Sequence, residues 1–257
     1  MTNQQGYPAG IERADAASRI VLVCEHASNA FPAPWGPLGL DEGAQAAHIA
    51  WDPGALGLAR GLAARLDAAL VHAPVSRLIH DLNRAPDSPG AMPPRSETLD
   101  VPGNTAISAQ DRAARVAAVY APFHAALAGL VAQRIALGLR PVIVTVHSFT
   151  PVWHGRPRAV EFGVIHDDTR PGDARLAREV LAAAWAMTDL RAELNAPYSA
   201  ADGVTHLLRL HAVPYGLPHA MLEIRNDLIA SPTAEEAMAA RLAPVLARAL
   251  ATMEGGA

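Results

Sequence analysis

Two histidines close two short apolar runs: His26 ends RIVLVCEH and His147 ends PVIVTVH. Runs rich in β-branched residues that stop abruptly at polar ones read as buried strands. The two imidazoles therefore stand at the ends of separate strands. That placement suits a metal, because neutral imidazole is a common zinc ligand and a catalytic centre takes about three protein ligands, with one position open. Each histidine also reads as an ordinary hydrogen-bonded residue at a strand end. Glu223 lies inside the apolar strand HAMLEIRND, where an unpaired carboxylate would cost on the order of several kcal/mol. Beside a metal, such a group takes a proton from water and passes it to a leaving amine. The plainer alternative is an ion pair with Arg225, two residues on and so on the same strand face.

Arg77, Asp81, Asn83 and Arg84 fall within eight positions of SRLIHDLNR, leading into a loop. A guanidinium fork is suited to bidentate capture of a carboxylate, and a neighbouring amide adds a donor. The cluster predicts a small acidic ligand. Its alternative is a surface loop whose Asp and Arg pair with each other. Asp52, just before Pro53-Gly54-Ala55, offers either a carboxylate ligand or a helix N-cap. Glu25 and Asn29 are further donors beside His26. Cys24 is the one cysteine, and inside an apolar run it reads as inert packing, not as a nucleophile. Ser148 lacks a Gly-x-Ser-x-Gly elbow, and His124 and Trp51 read as packing or pocket lining.

The elements that must hold these residues alternate along the chain. Residues 53–69 carry apolar positions at helical spacing, with Pro53 tolerated in the first turn. ALVHAPV is a second strand, 108–138 is helical with a kink near Pro122, and PVIVTVHSF is the clearest buried strand. AVEFGVIH is a further strand, followed by a helix over 171–187, a helix or turn near 203–212, the strand HAMLEIRND and an Ala-rich helix from 232. Such alternation predicts one α/β domain, a mostly parallel or mixed sheet flanked by helices. Ligands bind such sheets outside the carboxyl ends of the strands, where His26, Asp81 and His147 fall. Residues 85–106 hold five prolines and two glycines with no apolar period, and read as a long loop, a candidate wall or lid.

Composition narrows the classes. With 257 residues, 51% hydrophobic and 18% charged, the chain has material for a substantial core. A formal net charge of -4 and the lack of a basic run argue against nucleic acid. A lone cysteine excludes an internal disulfide framework and fits a reducing compartment. Residues 1–18 are polar without an apolar h-region and read as a flexible tail before a catalytic domain over 19–257. The apolar runs are interrupted by Arg, Asp or Pro before membrane-spanning length, so the expectation is a cytoplasmic protein with no membrane contact.

The stretches CEHASNAFP, HIAWDPGA, SRLIHDLNRAP, TVHSFTP and EIRND, spanning residues 24–227, resemble the motif series of the N-formylglutamate amidohydrolase family. Several also resemble the zinc carboxypeptidase and aspartoacylase superfamily. The resemblance implies a zinc-carboxypeptidase-like fold, a divalent metal (zinc, with cobalt as an alternative) and hydrolysis of an N-acyl amino acid, N-formyl-L-glutamate foremost. It also implies His26 and His147 as ligands, Asn83 and Arg84 as carboxylate binders, and Glu223 as general base. The superfamily's His-x-x-Glu reads here His26-Ala-Ser-Asn29, so the usual carboxylate is missing. Asp52 is then the expected third ligand, with Asn29 hydrogen-bonded behind the ligands or touching substrate, and Arg77 as a further substrate contact. The competing reading is a metal-free binding protein for a small acidic ligand.

Overall fold

In the computed structural model, which describes residues 6–170 and 172–255, seven strands form one mixed sheet. They are β1 (Gly10–Glu12), β2 (Ile20–Cys24), β3 (Ala69–His72), β4 (Val142–Phe149), β5 (Phe162–Ile165), β6 (Ala192–Leu194) and β7 (His219–Arg225). Their order across the sheet is β1-β3-β2-β4-β7-β5-β6. The central β3-β2-β4-β7 block is parallel, β5 runs antiparallel to β7, and β1 runs antiparallel to β3. All five residues of β2 and all eight of β4 are buried, as expected of strands covered on both faces.

Five helices supply most of that cover: α1 (Ala55–Leu66), α2 (Ala109–Ala136), α3 (Arg175–Met187), α4 (His206–His211) and α5 (Pro232–Gly255). Helix α5 packs on α1 and α3. A Cβ on Gly61 would lie 2.6 Å from that of Ala239, so glycine lets α1 approach α5. Helix α2 contains a π-turn at Val116–Tyr120, directly before Pro122, which accounts for the irregularity expected there. By length and composition α2 could cross a membrane, but its Phe123, Leu127 and Val131 belong to the core formed with the sheet.

Two expectations change. Residues 1–5 of the segment read as a flexible tail lie outside the described residues, yet Gly10–Glu12 within it forms the edge strand β1. Three residues carry too little pattern to announce a strand, and the pairing with β3 is made across some sixty positions. The stretch 85–106 is built from short local pieces: a 3-10 turn at Pro89–Ala91, a two-residue ladder between Arg95–Ser96 and Leu99–Asp100, and one helical turn at Pro102–Thr105.

Candidate active site

The strand ends bring His26, His147 and Glu223 together. His147 is on β4 and Glu223 is its direct partner on β7 in the parallel register, while His26 lies two residues past the end of β2. Asp52 joins them from the turn before α1. That helix begins at Ala55, and its N-cap is Gly54 in the left-handed region at φ 79°. A Cβ at Gly54 would lie 2.3 Å from the Ile229 carbonyl oxygen, so the tight turn requires glycine. The turn leaves the Asp52 side chain facing inward, and no capping bond to α1 is made.

Asp52 Oδ2 sits 3.2 Å from His26 Nδ1 and 2.8 Å from His147 Nδ1, and accepts from the Ser148 backbone N–H at 3.3 Å. All three residues are buried, and one donor atom from each lies within 4.8 Å of the others. Ligands at 2.0 Å on a tetrahedral zinc stand about 3.3 Å apart, and the two carboxylate-to-imidazole distances here lie near that spacing and below it, so the donor set is compatible with a divalent cation. The opposite ring nitrogens face carboxylates: His26 Nε2 is 2.8 Å from Asp81 Oδ1, and His147 Nε2 is 3.2 Å from Glu25 Oε2. The Asp81 contact is a hydrogen bond of the kind that orients metal-ligating histidines, whereas His147 and Glu25 approach as an ion pair outside hydrogen-bond geometry.

The electrostatics are those of a buried charge cluster. Burial raises the Asp52 carboxyl, but the two imidazoles outweigh it and hold it far below the ordinary carboxylate range. Burial and Arg77 lower His26, while Asp81 and Asp52 more than offset them and the ring is held above its usual value. His147 is lifted well above its usual value against burial, by Glu25 and Asp52. Glu223 is pushed up to about 7, chiefly by burial, and its Oε2 has no hydrogen-bond partner among the described residues. Arg225 is no partner for it, being tied to Asp227 at 2.8 Å and lying 3.6 Å from Glu161. A carboxyl poised near neutrality, with a free oxygen, is equipped to accept and return a proton.

A cleft of about 470 Å³ opens on this cluster, lined by His26, Asp52, His147 and Glu223 together with Arg77, Asn83 and Arg84. Arg77 is taken up by acids, its two terminal nitrogens reaching Asp52 Oδ1 at 3.4 Å and Asp81 Oδ2 at 2.7 Å. Asn83 donates to the Val204 carbonyl and accepts from the Leu207 N–H at 3.0 Å, which fixes the start of α4. Arg84 donates to the Gly203 and Asn83 carbonyls at 2.9 and 3.0 Å. Asn29 is not brought to the cleft: it is exposed and donates to the Gln45 carbonyl at 3.2 Å. Cys24 is buried, and burial raises its thiol well above the usual value.

The far wall went unread in the sequence. Arg158, beyond β4, lies over Phe149, Trp153 and Tyr198, 5.5, 4.9 and 4.9 Å from the ring centroids, and donates to the Tyr198 hydroxyl at 3.1 Å. The available signal was aromatic clustering: in a chain only 5% aromatic, Phe149 and Trp153 follow His147 within six positions.

Fold and site together define an α/β protein whose cleft ends on a buried His-carboxylate centre suited to a divalent cation. The N-formylglutamate amidohydrolase family model matches residues 18–230, and the chain belongs to that family of amidohydrolases. Among solved structures, a gene product of Agrobacterium tumefaciens is 47% identical over 99% of both chains, with a TM-score of 0.93. The N-formylglutamate amidohydrolase of Ralstonia eutropha JMP134 is 17% identical, covers 98% of this chain and 100% of its own, and has a TM-score of 0.65, a likeness of fold. No curated protein matches the sequence.

Proposed function

We propose that this amidohydrolase cleaves the amide of an N-acyl amino acid, N-formyl-L-glutamate foremost, at a divalent metal held by His26, Asp52 and His147. The observation that carries the reading is the meeting of these three donors within 4.8 Å, across the strand register from Glu223. A bound cation of this kind polarises an acyl oxygen and lowers the pKa of an attacking water. The chain's own groups supply the rest. Glu223 accepts the proton released as water adds to the acyl carbon and delivers it to the departing nitrogen. Asp81 holds the His26 ring in orientation, Glu25 lies at ion-pair distance from His147, and Arg77 offsets the buried negative charge of Asp52 and Asp81. Arg84 anchors one substrate carboxylate, with the remaining amide hydrogen of Asn83 beside it. Asn29, exposed and away from the cleft, has no part in this reading.

The alternative of a metal-free binding protein rests on an incomplete donor set, and the Asp52 carboxylate between two imidazoles speaks against it. The experiment is formate release from N-formyl-L-glutamate by protein of known metal content. Stoichiometric zinc with turnover supports the proposal; full turnover in verified metal-free protein removes the metal mechanism.

A further inference from the structure

The cleft carries three guanidinium groups, and their counter-ions differ. Arg77 is compensated by Asp52 and Asp81. Among the described residues, neither Arg84 nor Arg158 has a carboxylate within ion-pair distance; their partners are carbonyls and one phenol. Two further arginines, Arg112 and Arg115 on α2, stand outside this group. Arg115 is buried, donating to the Ile79 carbonyl and to Asn104 Oδ1, and Arg112 does not line the cleft.

Arg158 has the features of a built receptor. Its backbone N–H donates to the Pro151 carbonyl at 2.8 Å, closing the hairpin whose ladder pairs Val152–Trp153 with Arg156–Pro157. Its carbonyl accepts from Arg225 Nη1 at 3.3 Å, and Arg225 is itself tied to Asp227. Three aromatic rings surround the half-buried guanidinium. Ring faces attract a cation but accept no strong hydrogen bond. Among the described residues, its five N–H donors make bonds only to the Tyr198 hydroxyl and the Thr150 carbonyl. A half-buried, aromatic-flanked guanidinium fork without a carboxylate counter-ion is complementary to a carboxylate.

We infer that Arg158 is the specificity-determining residue that receives the side-chain carboxylate of an acylated acidic amino acid, while Arg84 receives its α-carboxylate. The assignment rests on the hydrolase reading above only for the identity of the acylated substrate. The cleft selects a dicarboxylate because two separate, unpaired guanidinium groups face it.

The test compares wild type with R158M and R158K on N-formyl-L-glutamate and on N-formyl-L-glutamine, which lacks the second carboxylate. R158M should lower kcat/KM for N-formyl-L-glutamate by about 100-fold, change that for N-formyl-L-glutamine by less than about threefold, and leave the melting temperature in place, with R158K between. Equal losses on both substrates, or no loss on either, would overturn the assignment. A turnover-independent measurement runs beside it: glutarate should raise the wild-type melting temperature more than butyrate does, and R158M should abolish that difference. Should wild type release no formate yet distinguish glutarate from butyrate through Arg158, the hydrolase reading falls and the receptor stands. Should the two ligands shift wild type equally, or R158M keep the difference, the receptor falls whatever the activity.

Discussion

Glu223 and His147 stand directly opposite each other in the parallel pairing of β7 with β4. Paired residues in neighbouring strands project to the same sheet face, so a carboxyl group and an imidazole are delivered to one point by backbone hydrogen bonding alone. Glu223→Gln preserves shape and removes basicity. It should lower kcat by about 100-fold or more while metal content is retained; ordinary turnover would mark Glu223 as structural.

Asp52 is the only anionic donor of the proposed set, so Asp52→Ala should lose tight metal binding and activity together. Had Asp52 been only a cap, the cost would be about 1 kcal/mol of stability with metal binding unchanged. Equilibrium dialysis of the folded variant decides, and one tightly bound metal per chain would refute the assignment.

Gly163 pairs with Glu223 from the antiparallel side, and a Cβ there would lie 1.9 Å from the Ala196 carbonyl oxygen and 3.2 Å from Glu223 Cβ. Gly163→Ala should therefore destabilise the chain by about 1–3 kcal/mol and depress kcat by displacing Glu223. Denaturant unfolding and steady-state rates check both; a variant as stable as wild type would contradict the packing.

A second group of histidines lies away from the cleft. Burial lowers His80 to about 4, His124 to about 3 and His211 to about 4, with the neighbouring histidines adding to the effect for His124 and His211. His124 Nδ1 is 2.8 Å from His211 Nε2, and its Nε2 donates to the Leu82 carbonyl; Tyr120 and His206 complete the surroundings. Unfolded, these rings take protons near pH 6.5; folded, they refuse them until about pH 4. The unfolded chain then binds more protons in that window, so stability is full above about 6.5 and falls as pH drops toward 4. His211→Asn should flatten this dependence of the urea midpoint on pH, and an unchanged slope would sink the account.

Arg84→Lys keeps the charge but loses the planar fork, and affinity for N-formyl-L-glutamate should fall by about 1–3 kcal/mol. KM values for this substrate and for formate esters of neutral alcohols provide the contrast; equal KM changes would mean that Arg84 faces elsewhere.

Much of this was legible in the chain itself. The fully buried strands β2 and β4 announce themselves by composition, and the polar residues that end them are those found around the cleft. The sheet's mixed character was legible only as a possibility, since the antiparallel pairing of β5 with β7 is a tertiary fact. Asp52 read equally as a cap because the sequence signature of a cap and of an inward-turned acid before Pro-Gly is the same. Gly54 and its contact with Ile229 break that tie. Asp81 read as a partner for arginine; it has one in Arg77, and also holds His26. Arg158 was invisible because its meaning comes from Tyr198, forty positions away, and from Arg225 beyond that.

The tie between Arg225 and the Arg158 carbonyl joins two ends of the cleft to a single strand. Glu223 and Arg225 are two residues apart on β7, a rise of about 6.6 Å, and that interval is set by covalent geometry and not by the docking of a loop. The Glu223 carboxyl and the backbone of the aromatic wall are thus referred to one and the same strand.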